Sequence, residues 1–312
     1  MMDGRAIDSV LSHWGLEGAV ELSGAACGGS PGRVISRTAL TCGGADYVLE
    51  SLPIEKAASR IRQAECLEGL AKRGLGRMNP WLRTREMLFG AYQEGTFWQL
   101  RKYAHGELEL PDGYADDSWR GEALAEFLSE LHGKSADIGG GIFLLSEYIS
   151  RMMAVFGGRN KGLCKDLSPA VHELEPFLEA ERDLPMAFCH GDYHPQNVIW
   201  GERCINAVID WEFCGTKTAM YDVANLLGCV GMDCPENYSR PLVASLLRRL
   251  HESGCFHSES WRWLPECVAA SRIAWLREWC FMDSTELMVQ ELDFIWLLLD
   301  NRELLRRKFA FQ

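Results

Sequence analysis

The stretch FCHGDYHPQNVIW (Phe188–Trp200) holds two histidines, a cysteine, an aspartate and an asparagine. Two chemistries compete for these residues. His190 and His194 stand four apart, the spacing at which two imidazoles on one helical face bind zinc. Gly191 lies between them and Pro195 follows, and a proline disfavours helical backbone just before it and disrupts a helix running through it. Without a helix the histidines share no face, so they are not expected to be metal ligands. The oxygen-bearing residues carry more. Asn197–Trp200 reads as a short apolar strand, Gly201–Arg203 as a turn and Cys204–Asp210 as the returning strand. Such a hairpin brings Asn197 and Asp210 towards one open end, with Asp192 on the loop that enters it. Carboxamide and carboxylate oxygens suit Mg2+, which keeps waters and takes its remaining ligands from substrate phosphates. A further aspartate, not needed by the metal, can orient and deprotonate a hydroxyl. Together these are the parts of a phosphoryl-transfer site, whose chemistry depends on positioning and charge neutralisation.

The elements that must position these residues can be read on either side. Glu21–Ala25 and Arg33–Leu40 flank a glycine-rich turn, Ala26–Gly32, and CGGAD leads into the strand YVLESL. Ile54–Arg73 has helical spacing, with Ile61, Leu67 and Leu70 on one side. MLFGAYQ and TFWQLRKY read as strands joined around Glu94-Gly95, which has hairpin chemistry. The polar segment His105–Gly113 is the expected hinge, dividing residues 1–104 from residues 105–312. Beyond it helices dominate. Asp116 or Asp117 can cap a helix carrying Ala123, Leu124, Phe127, Leu128 and Leu131. Further helical patterns run over Leu144–Phe156, Pro169–Arg182 and most of Tyr221–Arg307.

His190-Gly191-Asp192, with Asn197 five positions after the aspartate, has the spacing of the kinase loop H-R-D-x-x-x-x-N. HGDYHPQN followed by VIDWE resembles the aminoglycoside phosphotransferase and choline kinase-like family, the phosphotransferase enzyme family. TAMYDVANLL (Thr218–Leu227) is similar to the stretch after that family's metal-binding aspartate, and the likeness is sharp over Cys189–Leu227. The resemblance implies an α+β, two-lobed protein-kinase-like fold, with a small antiparallel-sheet lobe and a larger, mainly helical lobe carrying the hairpin. It also implies residue roles. Asp192 matches the catalytic base, and Asn197 and Asp210 match the Mg2+ ligands. His190 matches the first motif histidine, read as bracing the loop. His194 matches a further motif position, and Asp222 an acid supporting the site from the following helix. The implied donor is ATP or GTP, and the implied acceptor is a hydroxyl of a small molecule such as an amino alcohol, aminoglycoside, sugar or homoserine-like compound.

The smaller lobe is less orthodox. Gly28, Gly29 and Ser30 occupy the place of the loop that covers ATP phosphates, where backbone N–H groups can approach closely. Adenine is expected against the backbone around Leu100, Lys102 and Tyr103. Kinase-like families place a phosphate-contacting lysine on the third strand, paired with a glutamate on the next helix. Here Glu50 follows Tyr47-Val48-Leu49, and Gln63 falls where the helix acid is expected, with Glu65 two residues on. Either Lys56, Arg60 or Arg33 substitutes, or backbone and Mg2+ hold the nucleotide. A nucleotide-binding pseudokinase and a Ser/Thr protein kinase of the same fold are the alternatives.

For the acceptor, Trp261, Trp263, Trp275 and Trp279, near Glu278, Asp283 and Glu286, could form an aromatic box for an ammonium group; burial in the core is the plainer expectation for such large rings. The net charge of −12 argues against a nucleic-acid partner, since phosphate binding needs clustered Lys and Arg. The opening MMDGRAIDSV has no apolar leader-like run, and FIWLLL (Phe294–Leu299) is too short to span a bilayer. A cytoplasmic protein with no membrane partner is expected. Its twelve scattered cysteines, none in a CxxC pair, are then expected as thiols.

Overall fold

A computed structural model describes residues 4–25 and 34–310. The chain forms two compact units: Met1–Leu110 with Gln196–Glu212, and Pro111–Pro195 with Phe213–Gln312.

The first unit opens with α1 (Gly4–Leu11), β1 (Val20–Glu21), β2 (Ser36–Cys42) and β3 (Ala45–Pro53). Gly43 and Gly44, both at positive φ, turn β2 back on β3 so that Cys42 faces Ala45 and Arg37 faces Glu50. Glycine meets no steric penalty at such φ values, which is why a two-residue connection closes here. After α2 (Ala57–Lys72) come β4 (Ala91–Gln93) and β5 (Thr96–Lys102). The five strands form one antiparallel sheet in the order β1-β2-β3-β5-β4. The strand expected over MLFGAYQ is shorter, Ala91–Gln93, and Met87 at its expected start sits at φ 64°. Glu94 and Gly95 both have positive φ and make the expected tight hairpin. Val10, Leu11, Leu40, Leu49, Trp98 and Leu100 pack as one core cluster, and Leu52, Ala57 and Phe97 as another. The buried stripe of α2 runs Ala57, Arg60, Ala64, Leu67 and Leu70, so an arginine takes a core-facing position.

The second unit begins with α3 (Ser118–Lys134), whose buried face includes Ala123, Leu124, Phe127, Leu128 and Leu131 as the spacing predicts. Asp117 stands at its N-cap position, yet its carboxylate receives Arg120 Nε at 3.0 Å rather than a helix N–H. Next come α4 (Leu145–Arg159) and α5 (Lys161–Ala180). The helix expected from Pro169 starts eight residues earlier, because the Asn160 side chain accepts Leu163 N–H at 3.0 Å and caps it there; Pro169 and Pro176 lie inside. Buried Glu181 accepts Leu145 N–H at 2.7 Å and Ser146 N–H at 2.8 Å, supplying acceptors at the start of α4. The short strand β6 (Met186–Cys189) follows.

The chain then returns to the first unit. There β7 (Val198–Gly201) and β8 (Cys204–Val208) form the predicted hairpin, with a register irregularity between Ile199 and Trp200. The hairpin was expected with residues 105–312 but packs with the sheet unit. Trp200 and Glu107 exchange backbone hydrogen bonds at 2.8 Å, and Val208 N–H donates to Arg77 at 2.8 Å. Back in the second unit, β9 (Gly215–Thr218) pairs antiparallel with β6. Helices α6 (Tyr221–Asp233), α7 (Pro241–Ser253), α8 (Ser258–Arg262), α9 (Leu264–Phe281), α10 (Thr285–Asp300) and α11 (Arg302–Phe309) complete it. No helix among the described residues is long and apolar enough to cross a membrane, and no disulfide joins the described cysteines.

Candidate active site

In the second unit, β6 delivers the chain to His190-Gly191-Asp192 and α6 meets it with Asp222. Asp222 is fully buried, and its carboxylate accepts His190 N–H at 2.7 Å and Gly191 N–H at 2.8 Å. Two short charge-assisted bonds to adjacent amides fix the turn from below. Burial pushes the Asp222 carboxyl up to about 6, although both amides and nearby Lys217 pull it down. Gly191 lies at φ 87°, and a Cβ there would sit 2.2 Å from the Phe213 carbonyl oxygen, so only glycine fits. His190 is also fully buried. Its Nδ1 accepts the Asp192 N–H at 3.2 Å. Among the described residues no three of His, Cys, Asp and Glu gather into a metal cluster.

Tyr193 anchors the next position, its hydroxyl donating to Leu124 at 3.1 Å and its carbonyl accepting Asn225 Nδ2 at 3.2 Å. Asp192 and His194 remain slightly exposed, with Oδ1 and Nε2 3.6 Å apart. Lys217 on β9 is a residue that motif reading missed. It is buried, its methylene chain passes beside Gly191, and its ammonium lies over the Phe143 and Tyr221 rings at 4.4 and 5.1 Å. Burial lowers its pKa. Nothing in its residue type signalled this; only the pairing of β6 with β9 brings it there.

In the first unit, Asn197 ends a short 3-10 turn and is buried, and its carbonyl accepts Ile209 N–H at 2.9 Å. That bond closes the open end of the β7–β8 hairpin and puts Asp210 one residue beyond it. Asp210 has φ 65°, a conformation sparsely used by non-glycine residues and found disproportionately at functional positions. Hard oxygen donors at the end of a fixed hairpin suit Mg2+ by their chemistry.

The same unit shows what surrounds Glu50. A small polar cavity is lined by Arg37, Glu50, Arg60, Gln63, Arg101 and Asp210, among others. Glu50 is 1 % exposed, and its Oε1 receives Arg37 Nε at 2.6 Å and Arg101 Nη2 at 3.0 Å. Its Oε2 is buried without a hydrogen-bond partner, as is Arg101 Nε. Of the basic residues expected to replace the strand-three lysine, Lys56 is exposed, Arg33 lies outside the described residues, and Arg60 lines the cavity. Arg37 and Arg101 were not anticipated. The Gly43-Gly44 turn could have revealed Arg37, since a two-residue connection sets it opposite Glu50.

Gly28, Gly29 and Ser30 also lie outside the described residues. The carbonyls of Leu100 and Lys102 accept Leu82 N–H and Asn79 Nδ2, and Tyr103 N–H donates to Asp46. The four tryptophans do not gather into one box. Trp261 stacks on His251 at 3.7 Å, Trp263 leans on Phe177, and only Trp275 and Trp279 stack on each other, at 5.6 Å. Trp279 Nε1 donates to Glu291, which is already held by Arg272 at 2.6 and 2.9 Å.

Residues 32–264 match the phosphotransferase enzyme family (APH). The chain belongs to that family. Among solved structures, aminoglycoside phosphotransferase APH(4)-Ia has a TM-score of 0.67 and 15 % identity, over 95 % of this chain and 98 % of that one. Amicoumacin kinase hAmiN, in complex with AMP-PNP, Ca2+ and Ami, has a TM-score of 0.66 and 12 % identity over 87 % and 89 %. An aminoglycoside phosphotransferase from Alicyclobacillus acidocaldarius gives 0.62 and 14 % over 97 % and 95 %. A homoserine kinase from Gluconacetobacter diazotrophicus is 35 % identical over 87 residues, 27 % of this chain and 27 % of that protein. The fold of this phosphotransferase family member is therefore kinase-like, a sheet unit and a helical unit.

Proposed function

We propose that this phosphotransferase moves the γ-phosphoryl group of ATP or GTP to a hydroxyl of a small amine-bearing molecule, in the cytoplasm. The observation that carries the reading is the braced turn. Asp222 holds the amides of His190 and Gly191, His190 holds the amide of Asp192, and the Asp192 carboxylate is left slightly exposed. Asp192 orients the acceptor hydroxyl and takes its proton. His194, 3.6 Å away, biases the orientation of that carboxylate. Asn197 and Asp210 are the residues that would hold Mg2+, which when bound neutralises charge on the nucleotide phosphates. The amine preference draws on relatives: one structure of APH(4)-Ia is a ternary complex with ADP and hygromycin B, and a partial match is to a homoserine kinase.

The test is nucleotide consumption against a panel of aminoglycosides, amino alcohols, hydroxy amino acids and sugars, with the labelled product separated into protein and small-molecule fractions. Asp192→Asn should lose ~10²–10⁴-fold in kcat while remaining folded. Near-wild-type turnover by that variant refutes the mechanism. Label in the protein fraction would instead make the chain a protein kinase, and nucleotide binding without transfer to any acceptor would favour a pseudokinase.

A further inference from the structure

The cavity beside Asp210 carries an unusual charge arrangement for a site expected to hold a nucleotide. Three arginines, Arg37, Arg60 and Arg101, and two carboxylates, Glu50 and Asp210, line it together. The formal sum is one net positive charge, and a divalent cation on Asp210 would add two more. Arg101 is 9 % exposed, and burial lowers its pKa against the opposing pull of Glu50. Its guanidinium lies over the Trp81 ring at 4.9 Å, and its Nε has no acceptor. Arg60, 6 % exposed, makes one long contact, Nη1 to Gln63 Oε1 at 3.4 Å. Gln63 in turn donates to the Glu212 carbonyl at 2.7 Å, two residues after Asp210, so Arg60 is tied to the segment bearing that carboxylate. Buried cations in excess of their counter-charges are strongly disfavoured unless an anion completes the site. The planar fork of arginine matches phosphate oxygens better than any other side chain.

We propose that Arg60 and Arg101 bind the nucleotide phosphates, and that buried Glu50 positions Arg101 and Arg37 for this, a charge-inverted replacement for a lysine on the third strand. In the usual arrangement a strand cation meets the phosphates and a helix acid orients it. Here the strand residue is the acid, while the cations come from the neighbouring strands β2 and β5 and from the core-facing stripe of α2. Glu50 does not repel the phosphates, because two guanidiniums share one of its oxygens. The inference rests on the reading of the chain as a nucleotide-dependent phosphotransferase.

The experiment compares adenosine, Mg·ADP and Mg·ATP binding by calorimetry in the wild type, Arg60→Gln and Arg101→Lys. Each variant should keep adenosine affinity within about twofold and lose ~10–100-fold for Mg·ATP, the span of one charge-assisted hydrogen bond. Arg101→Lys keeps the charge and loses the fork, so its loss reads geometry rather than net charge. Wild-type Mg·ATP affinity in both variants overturns the proposal and leaves the phosphotransferase reading intact. A wild type that binds no nucleotide overturns both. If Arg101→Lys also loses adenosine, through damage to the Glu50 cluster, Arg60→Gln decides: unchanged Mg·ATP binding there overturns the proposal.

Discussion

Replacing Asp222 with asparagine tests whether a buried carboxylate holds the His190–Asp192 turn. In the folded chain this carboxyl titrates near 6 rather than near 3.8, because burial disfavours its charge more than two amide donors favour it. The folded chain thus binds the proton more tightly than the unfolded chain does. Stability from this group is full below about pH 4 and is lost as pH rises through about 6. Two pKa units at about 1.4 kcal/mol each predict a fall of about 2–3 kcal/mol between pH 4 and pH 7. Other carboxylates titrate in the same window, so the measured quantity is the difference between wild type and Asp222→Asn in urea unfolding at intervals across it. That difference should drift by the stated amount, the variant gaining relative to the wild type as pH rises. Activity should move the other way. Asparagine offers one acceptor and points an NH2 group at the second amide, so the turn loosens and kcat should fall at neutral pH. Parallel stability curves for the two proteins would refute the reasoning, because the carboxylate would then not be carrying a buried charge.

Two further substitutions probe other supports. Gly191→Ala should destabilise by at least ~2 kcal/mol or displace the turn with loss of turnover, since a Cβ at φ 87° would lie 2.2 Å from the Phe213 oxygen; urea midpoints and kcat read both effects, and an unchanged pair contradicts the geometry. Arg272→Met leaves Glu291 buried with only Trp279 as partner and should cost ~3–5 kcal/mol, most of it recovered in the double variant Arg272→Met/Glu291→Leu. Equal unfolding midpoints for the single and double variants would refute that coupling.

What could be read from the residues alone followed physical locality. The β7–β8 hairpin was legible because apolar runs and a polar turn lie within fifteen residues, and a hairpin sets its own register. The Glu94-Gly95 turn and the buried stripe of α3 were legible for the same reason. The start of α5 was not, because Pro169 mimics a first-turn proline, although Leu163 and Leu167 carry the apolar spacing back towards the actual cap, Asn160. The tryptophans misled in another way. Residue type suggests a shared box, but Trp261 and Trp263 precede α9, whereas Trp275 and Trp279 lie one turn apart near its end. Asp222 and His190 were marked by motif position, while the bonds that connect them span about thirty residues and emerge only with the fold.

Glu50 is where reading by position and reading by physics diverge most. Matched against a motif, it is a lost cation, and the loss suggests a chain unable to hold phosphate. The motif comparison assumes that the partners of a strand residue stay constant, yet those partners are set by register and not by the residue itself. The Gly43-Gly44 turn puts Arg37 opposite Glu50, and the neighbouring β5 brings Arg101 to the same carboxylate oxygen. What a phosphate would sense is the sum of charges lining the cavity and the direction of the donors, and that sum is positive with Glu50 included. Glu50→Lys, the change that would restore the motif, is therefore the wrong repair: it would place a third cation between the Arg37 and Arg101 guanidiniums and remove the acceptor that aligns them. On the proposed reading that variant binds Mg·ATP more weakly than the wild type and unfolds at lower urea, and tighter binding would mean that the motif, not the register, is the better guide.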